Sequence, residues 1–174
     1  MTNDHDYGLQ KLTKDILNIA QEEISNLHEE CEEAWGITSP IEKIFFAALS
    51  QGCAHSYSFG LEALFCPCSG AVMEKQLRPF DLVIWPQYRV LDWPVDFLIG
   101  TMSCDGKRSF CVVECDGHEF HERTKEQAVR DRKRDRRLQA KGYRVFRFTG
   151  SEIYKDPLVP VQEIFDWASR LWYY

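Results

Sequence analysis

The chain has 174 residues, of which 44% are hydrophobic and 13% aromatic, and its formal net charge is −6. That composition supports the packed core of one domain, or of one domain with an extension, and excludes a disordered or low-complexity protein. No apolar run reaches the length of a membrane helix, the polar start MTNDHDYG does not read as a signal peptide, and the seven cysteines are an odd count; the expectation is a cytoplasmic protein with free thiols and no membrane partner.

Leu9 to Trp35 alternates apolar and charged residues at helical spacing (Leu12, Ile16, Ile19, Ile24, Leu27), and Gly36 closes the run. Residues 1–36 therefore read as an acidic helical extension, with nine acids against two lysines up to residue 33, ahead of an α/β domain over 37–174. Thr38 and Ser39 precede Pro40, a helix-start signal, and IEKIFFAALSQG continues to Gly52 as a largely buried helix carrying one carboxylate, Glu42. The stretch from Cys53 to Pro79 (53–79) is punctuated by Gly60, Pro67, Gly70 and Pro79 and reads as an insertion, with a short helix around Phe59 to Phe65. Cys53-x-His55 and Cys66-x-Cys68 supply four candidate zinc ligands, but their spacing is tighter than that of familiar zinc fingers, and buried thiols are the plainer reading.

Strand-like runs follow at Asp81 to Arg89, Val95 to Ile99 and Ser109 to Cys115; the last two flank TMSCDGK, whose Asp105-Gly106 is a hairpin signal. A long polar helix, about Glu119 to Lys141, ends at Gly142, and Tyr143 to Phe148 reads as another strand. Strand, long helix, strand implies a right-handed parallel crossover in a sheet that also holds a hairpin. Asp156-Pro157 breaks the chain before an amphipathic helix, Val159 to Trp172, whose Phe165, Trp167, Leu171 and Trp172 suit a core or a dimer surface. The fold class is α/β, a mixed β-sheet flanked by helices.

The chemistry concentrates in VDFLI (Val95 to Ile99) and VVECDGHEFH (Val112 to His121), which deliver Asp96, Glu114 and Asp116 at strand ends. Like-charged carboxylates repel one another and stay ionised most readily around a cation; oxygen-only ligation suits a hard ion such as Mg2+ or Mn2+. Such a site can activate a water and offset charge on a phosphate. Cys115, between two of the acids, should point to the opposite strand face and pack in the core. The net negative charge argues against a nucleic-acid partner, but residues 123–141 hold nine Lys or Arg against three acids, a local charge of +6. Arg130, Arg134, Arg137 and Lys141 follow i, i+4, i+7, i+11, a basic ridge suited to phosphate contacts. The same ridge could be a solvated face, or could pair with the acidic N-terminal helices. Asp131 and Asp135, flanked by Arg134, read as a structural ion-pair cluster.

Pro94-x-Asp96, a hairpin, then Glu114-x-Asp116 resembles the PD-(D/E)xK nuclease superfamily, the restriction-endonuclease-like fold. The fuller run is Gln87, Asp96-Phe97, Glu114-x-Asp116-Gly117, His121, Asp131-x-x-Arg134-Asp135-x-x-Leu138-x-x-x-Gly142-Tyr143, Arg147-Phe148 and Glu152-Ile153. It is similar to a small family related to very-short-patch-repair endonucleases, with Glu42 matching that family's N-terminal helix glutamate. The resemblance implies a Mg2+- or Mn2+-dependent endonuclease that cuts DNA, with Asp96 and Glu114 on the metal. Asp116 either ligates the metal or caps the turn into the long helix. Glu42 is a site residue or a solvated helix residue, and Gln87 orients the site or makes a structural hydrogen bond. The usual lysine of Glu-x-Lys is absent, Asp116 standing in its place; its role falls to His121, with Lys125 as the other candidate. The rival expectations are a catalytically degenerate nuclease fold that binds nucleic acid or a protein, and a nuclease held silent until a partner removes the acidic segment. A homodimer or protein partner is compatible with each.

Overall fold

The computed structural model describes residues 26, 29–56, 63–65, 77–117 and 125–173. Of the N-terminal extension, the described part is helical over 29–33 and turns at Gly36 (φ 67°), with the Ile37 N–H returning to the Cys31 carbonyl at 2.8 Å. Pro40 then opens α1 (Pro40–Ser56), where its fixed φ suits the first helical turn and its missing N–H costs nothing. Ile41, Phe45, Ala48 and Leu49 are buried at i, i+4, i+7, i+8, one apolar stripe facing the sheet. Lys43, also buried, pairs with Glu32 and ties the preceding helical turn to α1.

The sheet has five strands in the order β1 (Ala63–Phe65), β2 (Leu82–Val90), β3 (Trp93–Met102), β4 (Arg108–Asp116) and β5 (Arg144–Thr149). β2, β3 and β4 are antiparallel neighbours, while β1 and β5 run parallel to β2 and β4. The turn between β3 and β4 is the Asp105-Gly106 turn read from the sequence, with Gly106 at φ 85° and Ser103 bonded to Asp105 and Lys107. Between β4 and β5 lies α2 (Lys125–Ala140), the crossover helix. It ends as a glycine terminus should: Gly142 sits at φ 89°, its N–H reaches the Gln139 carbonyl at 2.9 Å, and the Tyr143 N–H reaches Leu138 at 3.1 Å. The sequence does not announce α3 (Gly150–Lys155), a short helix fixed by a reciprocal Thr149–Glu152 cap. α4 (Leu158–Trp172) follows, and its Trp172 indole N–H donates to Thr101 Oγ1 at 2.7 Å.

One sequence expectation in this region is corrected. Where a short helix was expected around Phe59 to Phe65, Ala63–Phe65 is a strand pairing with Leu82–Ile84. A three-residue apolar run has no period to read, and the open backbone groups of β2 decide its state. The rest of that stretch lies outside the described residues.

Two apolar layers sandwich the sheet. On one face Leu82, Ile84, Phe97, Ile99, Cys111, Val113, Cys115 and Phe148 pack with α1, α3 and α4; Cys115 is in that core, as strand alternation requires. On the other face Val83, Trp85, Val95, Leu98 and Val112 pack with Leu138 of α2. Gly52 lets α1 and α4 approach, since a Cβ there would stand 2.8 Å from Val161 Cγ1. Among the described residues no helix is long and apolar enough to cross a membrane.

Candidate active site

The site is built on a break in the β2–β3 ladder. Val83 and Trp85 face α2, and so do Tyr88 and Val90; on the partner strand Val95 and Leu98 face α2 while Phe97 and Ile99 face α1. Regular alternation keeps i and i+2 on one face, so each strand skips a step, β2 at Pro86-Gln87 and β3 at Asp96. Gln87 takes up the break in a left-handed conformation, φ 48°, unfavourable for a residue with a Cβ by about 1–2 kcal/mol. Pro86, which has no N–H to give, sits beyond the three residues that β1 covers. The break turns Gln87 toward α1, where its Nε2 donates to Glu42 Oε2 at 2.6 Å. Asp96 turns toward β4 and accepts the Cys115 backbone N–H at 2.6 Å.

Asp96, at the break in β3, is thus charge-coupled to two further carboxyls, Glu42 from the first turn of α1 and Glu114 near the end of β4. Their electrostatics shows the crowding. Burial, then the charge of Asp96, pushes the Glu114 carboxyl up to about 8. The same two causes in the same order push Glu42 up to about 7, against the hydrogen bonds from Gln87 and Ser39. Burial also raises Asp96, opposed by the Cys115 N–H and by Arg134.

Two arginines answer this negative charge, and they do so differently. Arg147 of β5, in register with Glu114, takes Asp116 through Nε at 3.0 Å and Nη2 at 3.1 Å. Its Nη1 takes both oxygens of Asp135 at 3.1 and 3.2 Å, so all its donor groups are engaged. Arg134 of α2 pairs with Glu114 and donates to the Pro94 carbonyl at 2.7 Å, spanning β4 and β3, while its Nε is buried without a hydrogen-bond partner.

Of the residues singled out from sequence, Asp96 is brought to Glu42 and to Glu114, with Gln87 orienting Glu42. Asp116 lies near Asp96 and Glu114 and is held by Arg147. His121, Cys66 and Cys68 lie outside the described residues, as do the side chains of Lys125, Cys53 and His55. Arg130, Arg137 and Lys141 are exposed on the outer side of α2, Arg137 lying 5.4 Å from the centre of the Trp93 ring.

Arg134 is not part of that outer ridge. Leu138 is fully buried, and with it Asp131, Arg134 and Asp135, at i, i+3, i+4, i+7, turn inward and leave the intervening positions to solvent. Of the ion-pair cluster expected there, Asp135 pairs with Arg147 of the sheet, and Arg134 pairs with Glu114. The part played by Arg147 was missed. Its signal was a lone charge inside the apolar strand Val145 to Phe148, at the alternation that places it on the α2 face.

The donors gathered here are all oxygens, the set preferred by a hard divalent ion. Among the described residues no three His, Cys, Asp or Glu side chains close into a complete metal-ligand group. Asp96 and Glu114 adjoin the Phe97–Val113 pair of β3 and β4 and are charge-coupled, and Mg2+ commonly takes one or two carboxylates with water completing its shell. The residues fit such an ion on that basis.

A family model described as REase_MTES_1575, a restriction-endonuclease-like family, matches residues 71–167. No curated protein and no solved structure matches the chain. The matched stretch holds Gln87, Asp96, Glu114, Asp116, Arg134 and Arg147, leaving Glu42 outside it. With more than half of the 174 residues matched and a mixed sheet flanked by helices beneath them, the chain belongs to the restriction-endonuclease-like family REase_MTES_1575.

Proposed function

We propose that the protein is a divalent-metal-dependent endonuclease that hydrolyses phosphodiester bonds in DNA, related to the very-short-patch-repair endonucleases. The observation that carries this is the coupling of Asp96, at the break in β2–β3, to Glu42 and to Glu114, carboxyls from separate elements that burial and the charge of Asp96 both raise. Asp96 and Glu114 would hold Mg2+ or Mn2+. Bound there, the ion would lower the pKa of a water and offset charge on the phosphate.

The chain's own groups do the rest. Gln87 fixes the carboxylate plane of Glu42, and the Cys115 N–H fixes that of Asp96. Asp116 stands where the superfamily's lysine would be and is pinned by Arg147, so it does not replace that lysine. We assign the proton transfer to His121, whose ordinary pKa near 6.5 suits a base at neutral pH. Arg130, Arg137 and Lys141 give the outer side of α2 the charge to hold a phosphate backbone.

A second reading is a nuclease fold that binds without cutting, and one observation favours it: Glu114 already has a cation, the guanidinium of Arg134. Cleavage of plasmid DNA with Mg2+ or Mn2+ separates the two. Activity in the wild type that is lost in Asp96→Asn and Glu114→Gln, with both variants folded, supports the enzyme; an inert wild type that still binds DNA supports the binder.

A further inference from the structure

We infer that Arg134 is an exchangeable counter-ion: a divalent ion arriving at Asp96 and Glu114 takes its place on Glu114, and the released guanidinium becomes a ligand for the substrate phosphate. This rests on the metal-site reading above and adds which cation must leave and where it goes.

The contrast between the two arginines decides the identity of the mobile one. Arg147 uses Nε, Nη1 and Nη2 on two carboxylates, so moving it would strip Asp116 and Asp135 together. Arg134 holds one carboxylate oxygen and one carbonyl, and its buried Nε–H has no acceptor. An unmet buried donor is unfavourable, so this resting place is the less satisfied of the two. Its grip also covers the place at issue. By joining Pro94 of β3 to Glu114 of β4, the guanidinium lies across the two strands that carry the site acids. A divalent ion on Glu114 would compete for the same oxygen lone pairs and would repel the guanidinium as a like charge. Once off Glu114, the planar fork of Arg134 suits the two free oxygens of a phosphodiester, which a bidentate guanidinium binds with geometric selectivity.

The test uses the full chain and two readouts of opposite sign. Mn2+ affinity is measured by electron paramagnetic resonance for the wild type, Arg134→Gln, Asp96→Asn, and Asp96→Asn with Arg134→Gln. Affinity for a short duplex DNA is measured in Ca2+, an ion chosen to report binding apart from turnover. Arg134→Gln is expected to bind Mn2+ about tenfold more tightly than wild type, or 1.4 kcal/mol at 25 °C. It is expected to bind the duplex about tenfold more weakly in Ca2+, Asp96→Asn abolishing Mn2+ binding in both backgrounds. Arg134→Lys keeps the charge but not the fork, and should restore wild-type Mn2+ affinity without restoring duplex affinity. Should Arg134→Gln not fold, arginine side-chain NMR of the wild type during a Ca2+ titration decides: the Arg134 Nε resonance must move while that of Arg147 stays. Mn2+ binding in the wild type with equal or weaker binding in Arg134→Gln, unchanged duplex affinity, or a still Arg134 resonance in a Ca2+-bound protein overturns the exchange and leaves the metal site standing. No Mn2+ binding in any of these proteins removes the metal site and the exchange with it.

Discussion

Replacing Arg147 by Met keeps an unbranched apolar stem and removes the charge and the four hydrogen bonds of the guanidinium. Those bonds run to Asp116, 7% exposed, and Asp135, 23% exposed, from a guanidinium side chain 22% exposed. Breaking a buried ion pair by removing one partner costs about 3–5 kcal/mol, because the other charge stays behind uncompensated. Here Asp116 is buried while the other two are about a fifth open to water, which sets the expectation near the lower end, about 3 kcal/mol. For a protein of this length each kcal/mol moves Tm by about 2–4 °C, so Arg147→Met should melt about 6–12 °C below wild type. Urea unfolding should give the same loss from the midpoint at an unchanged slope. Because the cost comes from the stranded carboxylates, Arg147→Met combined with Asp116→Asn and Asp135→Asn should recover most of it. A single variant within about 1 kcal/mol of wild type, or a triple variant no better than the single, would refute the role of Arg147 as the tie between α2 and the site strands.

Three further outcomes are expected. Glu42, raised to about 7 in the fold, keeps its proton where the unfolded chain, at an ordinary value of about 4.3, has lost it. Stability should therefore fall as pH rises through that window, and Glu42→Gln should flatten the slope in pH-dependent urea melts; an unaltered slope would contradict the burial assigned to this carboxyl. His121→Ala should keep metal binding but lose rate by roughly 10²–10⁴, and an unchanged pH–rate profile would move the proton transfer elsewhere. Neutralising Arg130, Arg137 or Lys141 singly should weaken duplex binding without altering sequence preference, each flattening the slope of log affinity against log salt by about 0.9; wild-type slopes would make that charge an ordinary solvated face.

Much of this arrangement is legible in the sequence because local rules carry it. Asp96 and Glu114 stand out as charges near the ends of apolar strand runs, Asp105-Gly106 dictates its hairpin, and Gly142 marks the end of α2 through a backbone angle that other residues rarely adopt. Arg134 escaped because it satisfies two patterns at once. It falls on the i, i+4, i+7, i+11 basic ridge and also on the i, i+3, i+4, i+7 set that ends at Leu138. Helical spacing alone does not choose between them; the burial of Leu138 against the sheet does. The left-handed backbone of Gln87 could not be read either, since it arises from the strained pairing with β3 rather than from any preference of glutamine. The strand at Ala63–Phe65 likewise depends on what β2 leaves open, a tertiary fact.

The most direct test of the site is a crystal of the full chain soaked with Mn2+ and examined at the manganese absorption edge. The expected result is an anomalous peak between the Asp96 and Glu114 carboxylates, with Arg134 no longer on Glu114 and Arg147 still holding Asp116 and Asp135. An empty position between those two acids at saturating Mn2+, with Arg134 still paired to Glu114, would contradict a metal-dependent nuclease built on these residues.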